Sequence, residues 1–177
     1  MMNKYDLSNI QSIGDRKVFF DANILLYLYW STNLSWQERY SKVYSKLIDQ
    51  NNPFVLHYVV ISEFINRAIK IEYSNYLREN NITNKDLSYK SYRDSEAGKE
   101  AQEDIYTLVQ AKILKEFEVV NKNLSINDIE SMLIVDSLDF SDKLINQVCK
   151  DNNYVLLTND RDFKDTGIDI LTLNHNI

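Results

Sequence analysis

The chain has 177 residues and a formal net charge of −6, from 20 Lys and Arg against 26 Asp and Glu. That length suits one domain with a full core, expected to span 1–177, and no apolar run approaches the ~20 residues of a membrane span. Three Gly, one Pro and a 44% hydrophobic fraction argue against a disordered linker and for long helices joined by short turns.

The stretch Met1 to Asp6 has no apolar centre, so no signal peptide is expected. Residues 1–16 read as a polar N-terminal extension with isolated apolar positions Leu7, Ile10 and Ile13. Gly14 and Asp15 form a turn before an apolar strand over 17–21, which ends on Asp21. Ser35 and Glu38 match a capping box, and Trp36, Tyr40, Val43, Tyr44 and Leu47 recur at helical spacing over 36–49. Asn51, Asn52 and Pro53 end that helix, and Phe54 to His57 forms a short buried strand, with His57 a structural histidine. Ile61, Phe64, Ile65, Ala68, Ile69, Tyr73 and Leu77 trace one face of a long helix.

Residues 78–104 are rich in charge and read as a solvated helical excursion, with a lid or partner surface as the alternative. A helix resumes through Ile105, Leu108 and Ile113 to about 116, and 117–120 is a candidate strand. Ser125 caps a helix with Ile129, Met132, Leu133 and Val135, and Ser141 or Asp139 caps another over about 142–151. Cys149, the single cysteine, excludes an internal disulfide, fits a reducing cytoplasm and sits among Leu144, Ile145 and Val148 as a core residue. Strands over 154–157 and 168–173 close the chain. Strands alternating with helices predict an α/β fold: a small, mainly parallel sheet between two helical layers.

Four acids fall at strand ends or in the helical turns just after them: Asp21, Glu63, Asp142 and Asp160. If they share one crevice, each charged pair costs roughly 3 kcal/mol at ~5 Å and an effective dielectric of ~20. Cations or protons must neutralise them. Oxygen donors with little His or Cys select Mg2+ or Mn2+, ions that activate water and stabilise a leaving oxygen in phosphodiester hydrolysis.

Each acid also has a plainer reading. Asp21 suits a helix N-cap, and Glu63 a surface position near a helix start. Asp142 has rivals in Asp136 and Asp139, and Asp160 has Asp162 beside it. Asn23 is a turn residue or a support for Asp21, and Thr158 a strand-end residue or a hydroxyl aimed into the site. Tyr27, Tyr29 and Trp30 read as packing or as a base-stacking platform, and Arg67 and Lys70 as a solvated face or a phosphate contact.

In order and spacing these residues resemble the PIN-domain nucleases, a family that includes ribonuclease toxins of bacterial toxin–antitoxin pairs. Val18 to Leu26 is similar to the family's opening strand, with Asp21 as metal ligand and Asn23 supporting it. Val60 to Phe64 resembles the helix carrying the Glu, Asp142 to Ile145 the start of the helix with the third acid, and Tyr154 to Phe163 the closing strand with its Thr and fourth acid. The resemblance covers roughly 17–173. It implies a three-layer α/β/α fold and metal-dependent cleavage of single-stranded or structured RNA to 5′-phosphate and 3′-hydroxyl ends. It also admits an antitoxin protein or a homodimer as partners. The chain departs from the family's usual alanine-rich run after Asp142, reading Asn146, Gln147, Val148 and Cys149 instead.

Two other readings stand beside it. A small-molecule phosphatase with an aspartyl nucleophile wants a second Asp two residues after the first, where Asn23 stands. A non-catalytic PIN-like protein-binding module suits the net charge of −6, which opposes binding to phosphates.

Overall fold

Val18, Phe19 and Phe20 are wholly shielded from solvent, and this is why they form the central strand β2. Apolar side chains on both faces of a strand need helices on both sides of the sheet. The computed structural model describes residues 3–177. Met1 and Met2, the start of the stretch expected to lack a signal peptide, lie outside the described residues. Strands β1 (Lys4–Tyr5), β2 (Val18–Phe20), β3 (Phe54–His57), β4 (Glu118–Val120), β5 (Val155–Leu157) and β6 (Ile170–Leu171) form one sheet in the order β1-β6-β5-β2-β3-β4. Every pairing is parallel. The result is the expected three-layer α/β/α architecture.

Helix α1 (Ala22–Tyr29) follows β2 without a loop, and α2 (Leu34–Asp49) returns the chain to β3. Helix α3 (Tyr58–Glu79) buries Val60, Phe64, Ala68 and Ile69 on one stripe and packs against α1. Helices α4 (Tyr89–Asp94) and α5 (Glu96–Leu108) follow, and a π turn over Val109–Ile113 leads into α6 (Leu114–Glu116). Helix α7 (Ile126–Met132) packs on α8 (Phe140–Asn152), which ends on Asn153 in the left-handed region at φ 53°. Among the described residues, no helix is long and apolar enough to cross a membrane.

The structure differs from the sequence reading at several ends. The cap of α2 is Asn33, whose side chain accepts the Trp36 amide, and not Ser35, so the helix starts at Leu34. The last strand contracts from 168–173 to Ile170–Leu171. The 1–16 segment supplies β1 to the sheet edge and buries Ile10 and Ile13 beneath it. A two-residue strand is too short to show an alternating pattern, which is why the sequence reads there as an appendage. Ser125 does cap α7, with a reciprocal capping box through Asp128, but only Met132 of its apolar positions is buried; Leu133 and Val135 are exposed.

The charged 78–104 segment is anchored by aromatics. Tyr92 is buried against Tyr73 and Tyr76, with ring centroids 5.5 and 5.1 Å away. Gly98 on α5 meets α4 so closely that a Cβ there would lie 2.0 Å from the Tyr92 carbonyl oxygen. Gly98→Ala is therefore expected to destabilise the protein by about 1–3 kcal/mol, because the obstacle is backbone. A thermal melt checks this; an unchanged midpoint would show that α4 shifts freely.

Candidate active site

The sheet changes direction of growth at β2: β3 lies on one side and β5 on the other. Connections leaving such a switch point diverge and open a crevice beyond the strand ends, where α/β folds bind ligands. Asp21 follows β2 and Thr158 follows β5, so both stand at the mouth of that crevice.

Asp21 is 5% exposed and serves as N-cap of α1. Its Oδ1 accepts the Ala22 amide at 2.6 Å, and its Oδ2 accepts the Asn23 side-chain amide and the Thr158 hydroxyl, each at 2.6 Å. Three donors of this kind ordinarily hold a carboxyl low. Here burial outweighs them, Glu63 and Asp160 add like charge, and the Asp21 carboxyl is pushed up to about 6.

Asn23 and Thr158 join the two strand ends. Asn23 Oδ1 accepts the Asn159 amide at 3.2 Å, and Thr158 Oγ1 accepts the Asp160 amide at 2.9 Å. Asn159 is held in turn by the Tyr40 hydroxyl at 2.8 Å and donates to the Tyr27 hydroxyl at 3.2 Å. The sequence reading passes over Asn159 and Tyr40. Tyr40 looks like one more residue on the buried face of α2, and its hydroxyl's partner lies 119 residues away.

The other three acids approach from different elements. Asp139 caps α8 through the Asp142 amide at 2.9 Å, leaving Asp142 half-buried in the first turn. Burial, then the charges of Asp139, Asp21, Asp160 and Glu63, push the Asp142 carboxyl up to about 7. Asp139 is exposed, and Asp136 pairs with Lys143 at 3.1 Å. Glu63, half-buried on α3, accepts from Arg67 Nη1 at 3.0 Å. Asp160 caps a 3-10 turn over Arg161–Phe163 by accepting the Asp162 amide at 3.0 Å, while Asp162 itself is exposed. Tyr27 packs in a three-ring cluster with Trp36 and Tyr40, the centroids 5.6–6.0 Å apart. His57 is buried and caps α3 by accepting the Val59 amide on Nδ1. Burial holds its pKa below the usual value.

The face of α8 that carries Asp142 continues through Asn146 and Cys149, one and two turns on. Cys149 is buried, and its thiol is pushed up by that burial and then by the Asp21 charge, which places this stripe towards Asp21. Asn146 Oδ1 is a buried acceptor with no hydrogen-bond partner among the described residues. A buried oxygen of this kind is unfavourable unless something fills its valence. It is a further oxygen donor beside the acids, and a lone Asn in a helix gives no sequence signal of that role.

Among the described residues, no three Asp, Glu, His or Cys side chains are gathered closely enough to hold an ion as they stand. Three of the four acids have oxygens engaged by protein donors: Asp21 by Ala22, Asn23 and Thr158, Glu63 by Arg67, and Asp160 by the Asp162 amide. The donor chemistry nonetheless fits a hard cation: the charges of Glu63 and Asp160 help to raise the proton affinity of both Asp21 and Asp142, and an unfilled amide oxygen lies on the same helix face as Asp142.

The PIN domain family model matches residues 18–169. No curated protein matches the chain.

The raised carboxyls set a pH dependence. The folded state binds more protons than the unfolded chain between the ordinary carboxylate value, near 4, and about 7. Stability without metal is therefore greatest at the acid end of that window and falls as pH rises through 6 and 7. Asp142→Asn is expected to flatten that fall and to melt higher than the parent at pH 8 in EDTA. A variant that melts lower there would show the carboxylate to be stabilised by partners and not strained by its neighbours.

Proposed function

This chain belongs to the PIN-domain family, and on that premise we propose that it is a metal-dependent ribonuclease that hydrolyses RNA phosphodiester bonds. One observation carries the reading: the Asp21 and Asp142 carboxyls are raised to about 6 and 7, first by burial and then by the charges of neighbouring acids, Glu63 and Asp160 among them. A protein that keeps such a cluster gains from a cation that relieves it.

In this reading Asp21, Glu63, Asp142 and Asp160 hold Mg2+ or Mn2+. Such an ion would activate a water for attack on phosphorus and neutralise charge on the leaving oxygen. The chain's own residues do the positioning. Thr158 and Asn23 fix the Asp21 carboxylate from two sides, and Asn159, braced by Tyr40, fixes Asn23. Arg67 offsets the Glu63 charge until a cation takes its place. Asn23, where an aspartyl-nucleophile phosphatase wants an acid, donates to Asp21, which speaks against phosphatase chemistry.

The second reading, a protein-binding module, has its own support. Leu133, Ile134 and Val135 lie bare in the loop after α7, close in sequence to Asp142. The same strip is the surface that favours an antitoxin or a second copy as partner of an active toxin.

Purified protein with Mn2+ is expected to cleave single-stranded RNA, to stop with EDTA, and to lose at least about a hundredfold in rate on Asp21→Asn. Cleavage that survives both EDTA and Asp21→Asn would overturn the mechanism.

A further inference from the structure

A cleft of about 570 Å3 runs between α1 and α3 and reaches Asn23, one hydrogen bond from Asp21. Its charge is opposite to that of the whole molecule. Among the described residues lining it, the charged ones are Arg67, Lys70 and Arg78, all cationic, in a chain of net charge −6. They recur with Ser74 at three- and four-residue spacing, so one stripe of α3 faces the cleft. At 1.5 Å per residue, the stripe from Arg67 to Arg78 extends about 16 Å away from the acids. Lys70 and Arg78 are exposed, and neither has a carboxylate partner among the described residues. Arg67, at the inner end, is the one paired, with Glu63.

The opposite wall carries Trp30. Its indole N–H donates to Glu72 Oε1 at 2.8 Å, which pins the ring by its edge. Tyr27 is engaged in a cluster with the Trp36 and Tyr40 rings, whereas no ring stacks on Trp30 among the described residues. A half-buried indole that is pinned by its edge and lines an open cleft has the shape of a base platform.

We propose that the α1–α3 cleft is the track along which a single-stranded polynucleotide enters the acidic site, with phosphates on Arg78, Lys70 and Arg67 and a base on Trp30. The inference rests on the ribonuclease reading and specifies the substrate as unpaired at this point, because a base in a duplex cannot turn onto a protein ring. It also resolves the charge problem: the molecule repels phosphates on average while one groove attracts them.

The test uses Asp21→Asn protein in EDTA, so binding is read without cleavage. A fluorescently labelled, unstructured oligoribonucleotide is titrated over a range of salt concentrations. Lys70→Glu with Arg78→Glu is expected to weaken binding at least about tenfold and to reduce the slope of log affinity against log salt by about 2. Lys42→Glu on α2, outside the cleft, is expected to leave both unchanged. Intrinsic tryptophan fluorescence should be quenched on binding, and Trp30→Ala should abolish that quench while weakening affinity several-fold. Lys70 and Arg78 are exposed, so an unchanged melting temperature confirms that the double variant is folded. Unchanged affinity and salt slope in the double variant would overturn the proposal. So would a duplex of the same sequence binding as tightly, or polyglutamate competing as well as RNA. Cleavage of RNA by the unmodified protein is measured separately; activity there with no effect of the cleft variants would sink the track and leave the nuclease reading standing.

Discussion

The molecule is organised around a buried carboxylate that is held but not neutralised. Asp21 receives a backbone amide, a side-chain amide and a hydroxyl, and those donors come from both sides of the switch point. The contacts tie β2, α1 and the loop after β5 into one unit. No lysine or arginine is among them, so the donors orient the charge without cancelling it. Burial then wins over hydrogen bonding, and the proton affinity rises. A purely structural acid at a helix start keeps its carboxyl low; Asp128 in the first turn of α7, reciprocally bonded to the cap Ser125, shows what that looks like.

Like charge then spreads the effect across the crevice. Asp142 lies in the first turn of α8, where a helix favours an acid, yet its carboxyl is raised because burial and four neighbouring acids outweigh the helix. The fold accepts this cost at one spot, whereas Asp151 is paired with Lys122 and Asp169 with Arg16. Arg67 is placed to act on both sides of the problem, paired with Glu63 and facing the cationic cleft. Concentrated acid on one side of Asn23 and cation on the other give the crevice a direction, in keeping with a substrate that carries phosphates and a site that needs a cation.

Much of this was legible in the residues. The unbroken apolar run before Asp21 and the short run Phe54 to His57 could only be buried parallel strands, and the stripe through Phe64 and Ala68 fixed the long helix. The acids stood out because a fold does not place charge at strand ends without a partner. What escaped depended on partners distant in sequence. Asn159 and Tyr40 matter through a bond spanning 119 residues, and Lys4 and Tyr5 are a strand only because β6 lies beside them. Ser35 matched a capping pattern that Asn33 fulfils, since the helix begins as soon as a side chain can take its first free amides. The bare apolar strip after α7 ran the other way: the spacing of Leu133 and Val135 suggested a packed face, and both are exposed.

Everything proposed for this crevice depends on the acids around Asp21 taking up a cation. A crystal structure grown with Mn2+ and phased at the manganese edge tests it most directly. The account predicts an anomalous peak in the crevice contacted by Asp21 and Asp142, with Glu63 released from Arg67. A well-ordered map with no peak there, and with Asp21 still bound only by Ala22, Asn23 and Thr158, would contradict it.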